Sequence, residues 1–160
     1  MNRIAFALRL VTASPDEPEV RDHFVLDIRV DDRDLLELIR EVERPFAAAD
    51  GHPELAGQYE ALPAATALPH LAGDDAAKVS LYDCECRCFG CWPLWVRISK
   101  SANVITWSDF EQPHRRPNSR SSWWRYDKLG PFEFDREQYT AALAKVEGEL
   151  RERNRSSRRP

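Results

Sequence analysis

The sequence predicts an α+β fold: a mostly antiparallel sheet with helices packed on one face. Three observations carry this. Residues 4–10 and 24–30 alternate apolar and polar side chains with period two, the pattern of half-buried strands. Residues 35–42 and 139–150 space their apolar residues three or four apart, the stripe of an amphipathic helix. A second strand-rich stretch, 78–109, separates the two helices.

Taken in order, Ile4, Phe6, Leu8 and Leu10 line one face of a first strand over 4–11, and Phe24, Leu26, Ile28 and Val30 line a second. The polar connection ASPDEPEVRD carries two prolines and reads as a loop, so the two strands are expected to pair antiparallel. Asp31 or Asp32 can cap a helix that buries Leu35, Leu38, Ile39 and Val42 and ends or kinks at Pro45. Residues 45–77, with Pro53, Pro63 and Pro69 in Ala-rich sequence, read as a covering loop in which Leu55, Tyr59 and Leu62 make one or two helical turns. Strands are expected at 78–86, 93–99 and 103–109, the last two joined as a hairpin through 100–102. The segment QPHRRPNSRSS reads as a polar loop. The final helix has strong start signals: Asp135 as N-cap, Gln138 three residues on, and Phe134 placed to staple onto Tyr139. Tyr139, Leu143, Val146 and Leu150 form its buried stripe. Residues 1–152 read as one α+β domain and 153–160 as a disordered basic tail with no apolar anchor.

At 160 residues, 42% hydrophobic and 31% charged, the chain is long enough for one ordinary core and too apolar for a disordered class. No apolar run approaches the ~18 residues a membrane helix needs. Arg9 interrupts the N-terminal apolar stretch and no A-x-A-like site follows, so the expectation is a cytoplasmic protein with reduced thiols. The net charge of −4 is unevenly distributed. Residues 13–62 hold fourteen acidic and five basic side chains, whereas 114–128 and 151–160 each carry a balance of +4.

All four cysteines, Cys84, Cys86, Cys88 and Cys91, fall within CECRCFGCWPLW. On a strand the first three share a face. If Gly90 makes a tight turn, Cys86 and Cys91 become cross-strand neighbours able to ligate zinc. Cys84 would add a third ligand; Cys88 or a distant histidine, with His114 the best placed, would supply a fourth. Free cysteines packed as small hydrophobes and disulfide or redox use both remain open. Cys88-Phe-Gly-Cys91 is a C-x-x-C, but a strand-like WPLWV follows it where a thioredoxin-type motif opens a helix.

Downstream, Trp107, Phe110, Arg115, Arg116, Trp123 and Trp124 combine guanidinium groups with large rings. That mixture suits a protein interface or single-stranded nucleic acid, and a structural role for most of the rings is the plainer reading. Asp109, Glu111 and His114 could form an acid/base group beside Ser108, but no glycine stands two residues either side of that serine as in G-x-S-x-G. His23, His52 and His70 fall in expected loops.

The strings CECRCFGCWPLWVRI, VITWSDFEQPHR and LGPFEFDREQYTAAL, with DIRVDDRDLLELIREVE and GHPELAGQY before them, resemble a family of small uncharacterised bacterial proteins. Its pattern is C-x-C followed by GCWPL, then W-x-x-F-x-QPHR, then LGPF-x-FDR-x-QY. The resemblance runs from about Asp27 to Leu143 and implies one continuous domain, with no assigned activity or cofactor. It picks out Cys84, Cys86, Cys91, Trp92, Trp107, Phe110, His114 and Arg115. Cys88 falls where the pattern has a non-cysteine, which favours a three-cysteine site completed by His114.

The resulting expectation is a non-enzymatic binding or interaction module with a structural zinc–thiolate site and a protein partner. Nucleic acid is the less favoured partner, and no membrane is involved. One alternative is a small hydrolase or thiol-redox enzyme using the cysteines with Asp109 and His114. Another is an acidic, immunity-type inhibitor that binds a basic partner protein through residues 13–62.

Overall fold

A computed structural model describes residues 1–16, 20–73, 78–84, 86 and 90–157. The fold is α+β, and all strand pairings within its two sheets are antiparallel. Strands β1 (Ile4–Val11), β2 (His23–Val30) and β3 (Arg33–Asp34) form the first sheet in that order. Strands β4 (Glu60–Ala61), β5 (Lys78–Asp83), β6 (Leu94–Lys100), β7 (Val104–Glu111) and β8 (Phe132–Asp135) form the second. The helices are α1 (Leu35–Ala49), α2 (Ala64–Ala72) and α3 (Arg136–Ser156).

The expected β1–β2 pair forms over its full length, Ile4 opposite Val30 through Val11 opposite His23. The strand set divides into two sheets because β2 turns its far edge to other partners. Leu26 N–H donates to the Leu62 carbonyl at 3.2 Å, and Val25 bridges Pro63. At the opposite end Asn2 bridges Phe134 beside β8. One apolar core runs between the sheets and under α2 and α3, with Leu26, Leu35, Ile39, Leu71, Leu94, Ile105, Trp107, Phe134 and Tyr139 fully buried.

Helix α1 is capped by Asp34, whose carboxylate accepts from Leu36 N at 2.8 Å. Asp31 and Asp32 instead make the preceding turn with φ of 50° and 64°, a conformation aspartate tolerates better than most residues. The helix continues past Pro45 to Ala49. Pro45 removes one backbone donor, and burial of Ala47 against Trp124 and Ala56 holds the last turn. The stretch read as a covering loop contains a 3-10 turn at Pro53–Leu55, β4 and α2, with Ala64, Ala67, Leu68 and Leu71 on the buried side of α2. His23 and His70 therefore lie in β2 and α2, not in loops.

The β6–β7 hairpin contains a bulge. Trp95 faces Glu111 while Arg97 faces Ser108, so β7 holds one extra residue, and Asp109 takes φ 52°. The extra residue reverses the alternation: Trp107 and Phe110 both point inward while Asp109 points out to Arg97, 2.8 Å away. Helix α3 begins as expected, with Asp135 accepting from Gln138 N at 2.9 Å and Phe134 against Tyr139 at 5.9 Å. The Gln138 side chain, however, reaches the β1 backbone, donating to Ile4 O at 2.7 Å and accepting from Ile4 N at 3.4 Å. Tyr139, Leu143 and Val146 are buried and Leu150 is partly so. The helix also continues through Ser156, supported by the Arg151–Glu147 pair at 2.6 Å, so the segment from 153 expected to be disordered begins as helix. Residues 158–160 lie outside the described residues.

Candidate metal centre and the adjoining aromatic cage

The β5–β6 connection is organised by Asp83, a buried carboxylate at the end of β5. It accepts from Cys84 N at 2.8 Å and from Gly90 N at 3.1 Å. Gly90 takes φ 76°, which glycine adopts without steric cost. Drawing both ends of the loop onto one carboxylate brings three sulfurs together: the Sγ atoms of Cys84, Cys86 and Cys91 lie within 4.8 Å of one another. This convergence arises in a loop, since β5 ends at Asp83 and β6 starts at Leu94; the expected cross-strand placement of Cys86 and Cys91 is not the geometry used. Cys88 and the C-x-x-C reading built on it lie outside the described residues.

Cys84 is half-buried, and Cys86 and Cys91 are exposed. The Cys86 N–H points at Cys84 Sγ, 3.4 Å away, a donor that favours thiolate character. Crowding acts the other way. Hydrogen bonding with Cys86 raises the Cys84 pKa, and hydrogen bonding with Cys86 and Cys84 pushes that of Cys91 up to about 11. Three thiolates this close repel, and a bound cation reverses that preference because metal binding displaces thiol protons. Tetrahedral thiolate coordination at ~2.3 Å places sulfurs roughly 3.8 Å apart, so a modest contraction of the cluster suffices. The three cysteines can hold a metal ion.

His114, expected as a further ligand, is on the 3-10 turn Pro113–Arg115, where Gln112 Oε1 accepts from His114 N at 2.6 Å. Its Nε2 is 3.4 Å from the Gly90 carbonyl, and its ring stacks on Trp92 at 6.1 Å. It thus touches the cysteine loop without joining the group of converging sulfurs.

Next to the loop is an aromatic cage. Trp92 meets Trp124 edge-on at 5.9 Å, and the Arg115 guanidinium packs over both rings, at 5.3 and 5.1 Å. Trp124 is buried; its Nε1 donates to Asp50 Oδ2 at 2.9 Å, and Ser122 donates to Asp50 Oδ1. Of the residues expected on a binding surface, Trp107 and Phe110 are core residues, 0% and 6% exposed; Trp107 follows the alternation of Ile105, and the bulge at Asp109 turns Phe110 inward as well. Arg116 is exposed and pairs with Glu111, while Trp123 is 52% exposed.

Asp109 is bound to Arg97 and His114 faces Gly90, so no described hydrogen bond or ion pair joins them as an acid/base pair. Several carboxylates of residues 13–62 are paired internally: Asp27 with Arg9, Asp32 with Arg3, Glu37 with Arg40 and Glu41 with Arg33.

Sequence reasoning missed Glu43. Its carboxyl is fully buried and accepts from Tyr59 OH and Tyr126 OH, each at 2.6 Å, and from Gly57 N at 2.7 Å. Burial raises its pKa despite these donors and the nearby Arg40 charge. The signal was present: Glu43 continues the i+4 row Leu35, Ile39, Glu43, Ala47, so a charged residue sat in phase with the apolar stripe.

Comparison with protein families, curated proteins and solved structures gave no match to this chain. No helix among the described residues is long and apolar enough to cross a membrane.

Proposed function

We propose that the protein is a non-enzymatic binding module whose β5–β6 loop holds zinc through Cys84, Cys86 and Cys91. The observation that carries this reading is the approach of three sulfurs to within 4.8 Å. Among the described cysteines a disulfide would use two and leave the third, whereas a thiophilic divalent ion uses all three. His114, already beside Gly90, is the fourth ligand, reached by exchanging the carbonyl for the metal. Such a site requires reduced thiols, which fits a cytoplasmic setting. The ion's role is structural: it fixes the loop that presents Trp92 to the aromatic cage.

The experiment is elemental analysis of protein purified without added metal, paired with a thiol count before and after chelation. Near-stoichiometric zinc, with Cys84, Cys86 and Cys91 protected until chelation, is expected. Metal-free folded protein whose thiols react at once overturns the reading. His114→Ala should weaken zinc binding at least tenfold; unchanged affinity removes His114 from the ligand set.

A further inference from the structure

A groove of about 600 Å³ opens beside the aromatic cage, bounded by β7, the 115–117 and 123–127 segments and the turn before β8. Its volume suits a small organic ligand. Four cations line it: Lys78, Arg115, Arg116 and Arg125. All four lie within 4.0 Å of a carboxylate oxygen. Lys78 and Arg116 share Glu111, and Arg125 is 3.9 Å from Asp127.

Arg115 differs. Its side chain is only 13% exposed, and its buried Nε has no hydrogen-bond partner. The nearest paired carboxylate oxygen, Asp50 Oδ2, is 4.0 Å from Nε and already accepts from Trp124. Buried donors are rarely left unmet, and a guanidinium has five of them in a rigid fork. The two tryptophan rings fix its plane, so the fork is held ready at little entropic cost. The indole of Trp123, half-exposed and also lining the groove, offers a flat apolar surface close to it.

We infer that this groove binds a small oxyanion, a phosphate or carboxylate carried on an aromatic ring, with the anion forked by Arg115 and the ring stacked on Trp123. Planar, two-point recognition is what a stacked arginine does best. Arg125 adds a second, weaker positive charge at the rim. Asp50 competes with the anion for Arg115, which gives the site a directional signature. This inference stands on the groove alone and does not depend on metal in the cysteine loop.

The test is calorimetric titration with phenyl phosphate, with inorganic phosphate and a short oligothymidylate as parallel arms, melting curves confirming that each variant is folded. Phenyl phosphate should bind one to one and saturably, with inorganic phosphate at least fivefold weaker. Arg115→Lys, which keeps the charge but not the fork, should weaken binding tenfold or more. Arg125→Gln should weaken it two- to threefold. Asp50→Asn should tighten it, since the competing charge is gone while an acceptor for Trp124 remains. If Arg115→Lys fails to fold, Arg125→Gln and Asp50→Asn decide. Absence of saturable phenyl phosphate binding, unchanged affinity in Arg115→Lys, or equal affinity for inorganic phosphate overturns the inference. Binding by the oligonucleotide alone overturns it in favour of a single-strand nucleic-acid groove.

Discussion

Replacing Glu43 tests the buried network that links α1 to both aromatic segments. Three donors converge on its two oxygens: Tyr59 OH and Tyr126 OH on Oε1 and Gly57 N on Oε2. Glu43→Gln can keep one oxygen for both tyrosines, but its amide nitrogen then faces the Gly57 N–H. One buried donor loses its acceptor, at about 1–3 kcal/mol. Glu43→Ala leaves all three donors without an acceptor. The buried Tyr59 hydroxyl and Gly57 N–H alone then account for about 2–6 kcal/mol. The assay is urea unfolding followed by tryptophan fluorescence. The same residue gives a pH dependence. The folded pKa is raised, so the folded state holds this proton more tightly than the unfolded chain. The stabilisation it brings is complete below the ordinary glutamate value of ~4.3 and is lost as pH rises through the raised folded value. Glu43→Gln should remove that slope. If the Glu43→Gln variant lies within ~0.5 kcal/mol of wild type at neutral pH and keeps the slope, the reasoning is refuted.

Three other outcomes follow from the structure. In metal-free protein the Cys91 thiol should alkylate with a midpoint near 11 instead of the ordinary ~8.5, and Cys86→Ser, which removes the neighbouring thiol that contributes most to the rise, should move that midpoint down. Asp135→Ala should destabilise by about 1 kcal/mol through loss of the α3 cap, and Leu143→Ala, 9% exposed, by about 2–4 kcal/mol, both read by urea unfolding. Deleting residues 154–160 should change stability by less than ~0.5 kcal/mol, because Arg153, which packs over Phe24 at 5.3 Å, is retained; a larger loss would show that the last turn of α3 docks.

What the sequence made legible was local. The alternation of β1 and β2 and the Asp135–Gln138 start of α3 depend on residues close in the chain, and each is found where expected. Helix α2 was hidden because Pro69 lies inside it and its apolar residues crowd together without a polar face. The division into two sheets was hidden because β2 meets Leu62 and Pro63, a pairing no spacing announces. At the site, the crowding of cysteines was plain, but the convergence of three sulfurs depends on Asp83 gripping both ends of the loop. Phe110 was misplaced onto a surface because a single bulge residue, Asp109, shifts the phase of β7 beyond Trp107, which alternates regularly with buried Ile105.

The clasp between Gln138 and Ile4, with Asn2 N–H donating to the Glu133 carbonyl at 2.7 Å, sets the timetable of folding. The partners are 134 and 131 positions apart, so the β1–β2 hairpin emerges from the ribosome early but cannot be covered until α3 has been made. At roughly 5–20 residues per second, that delay is on the order of ten seconds. Throughout it, Phe6 and Leu8, which pack against the core in the finished protein, face water. Folding governed by so distant a closure is slow, and the nascent hairpin carries that apolar face uncovered until the closure is made.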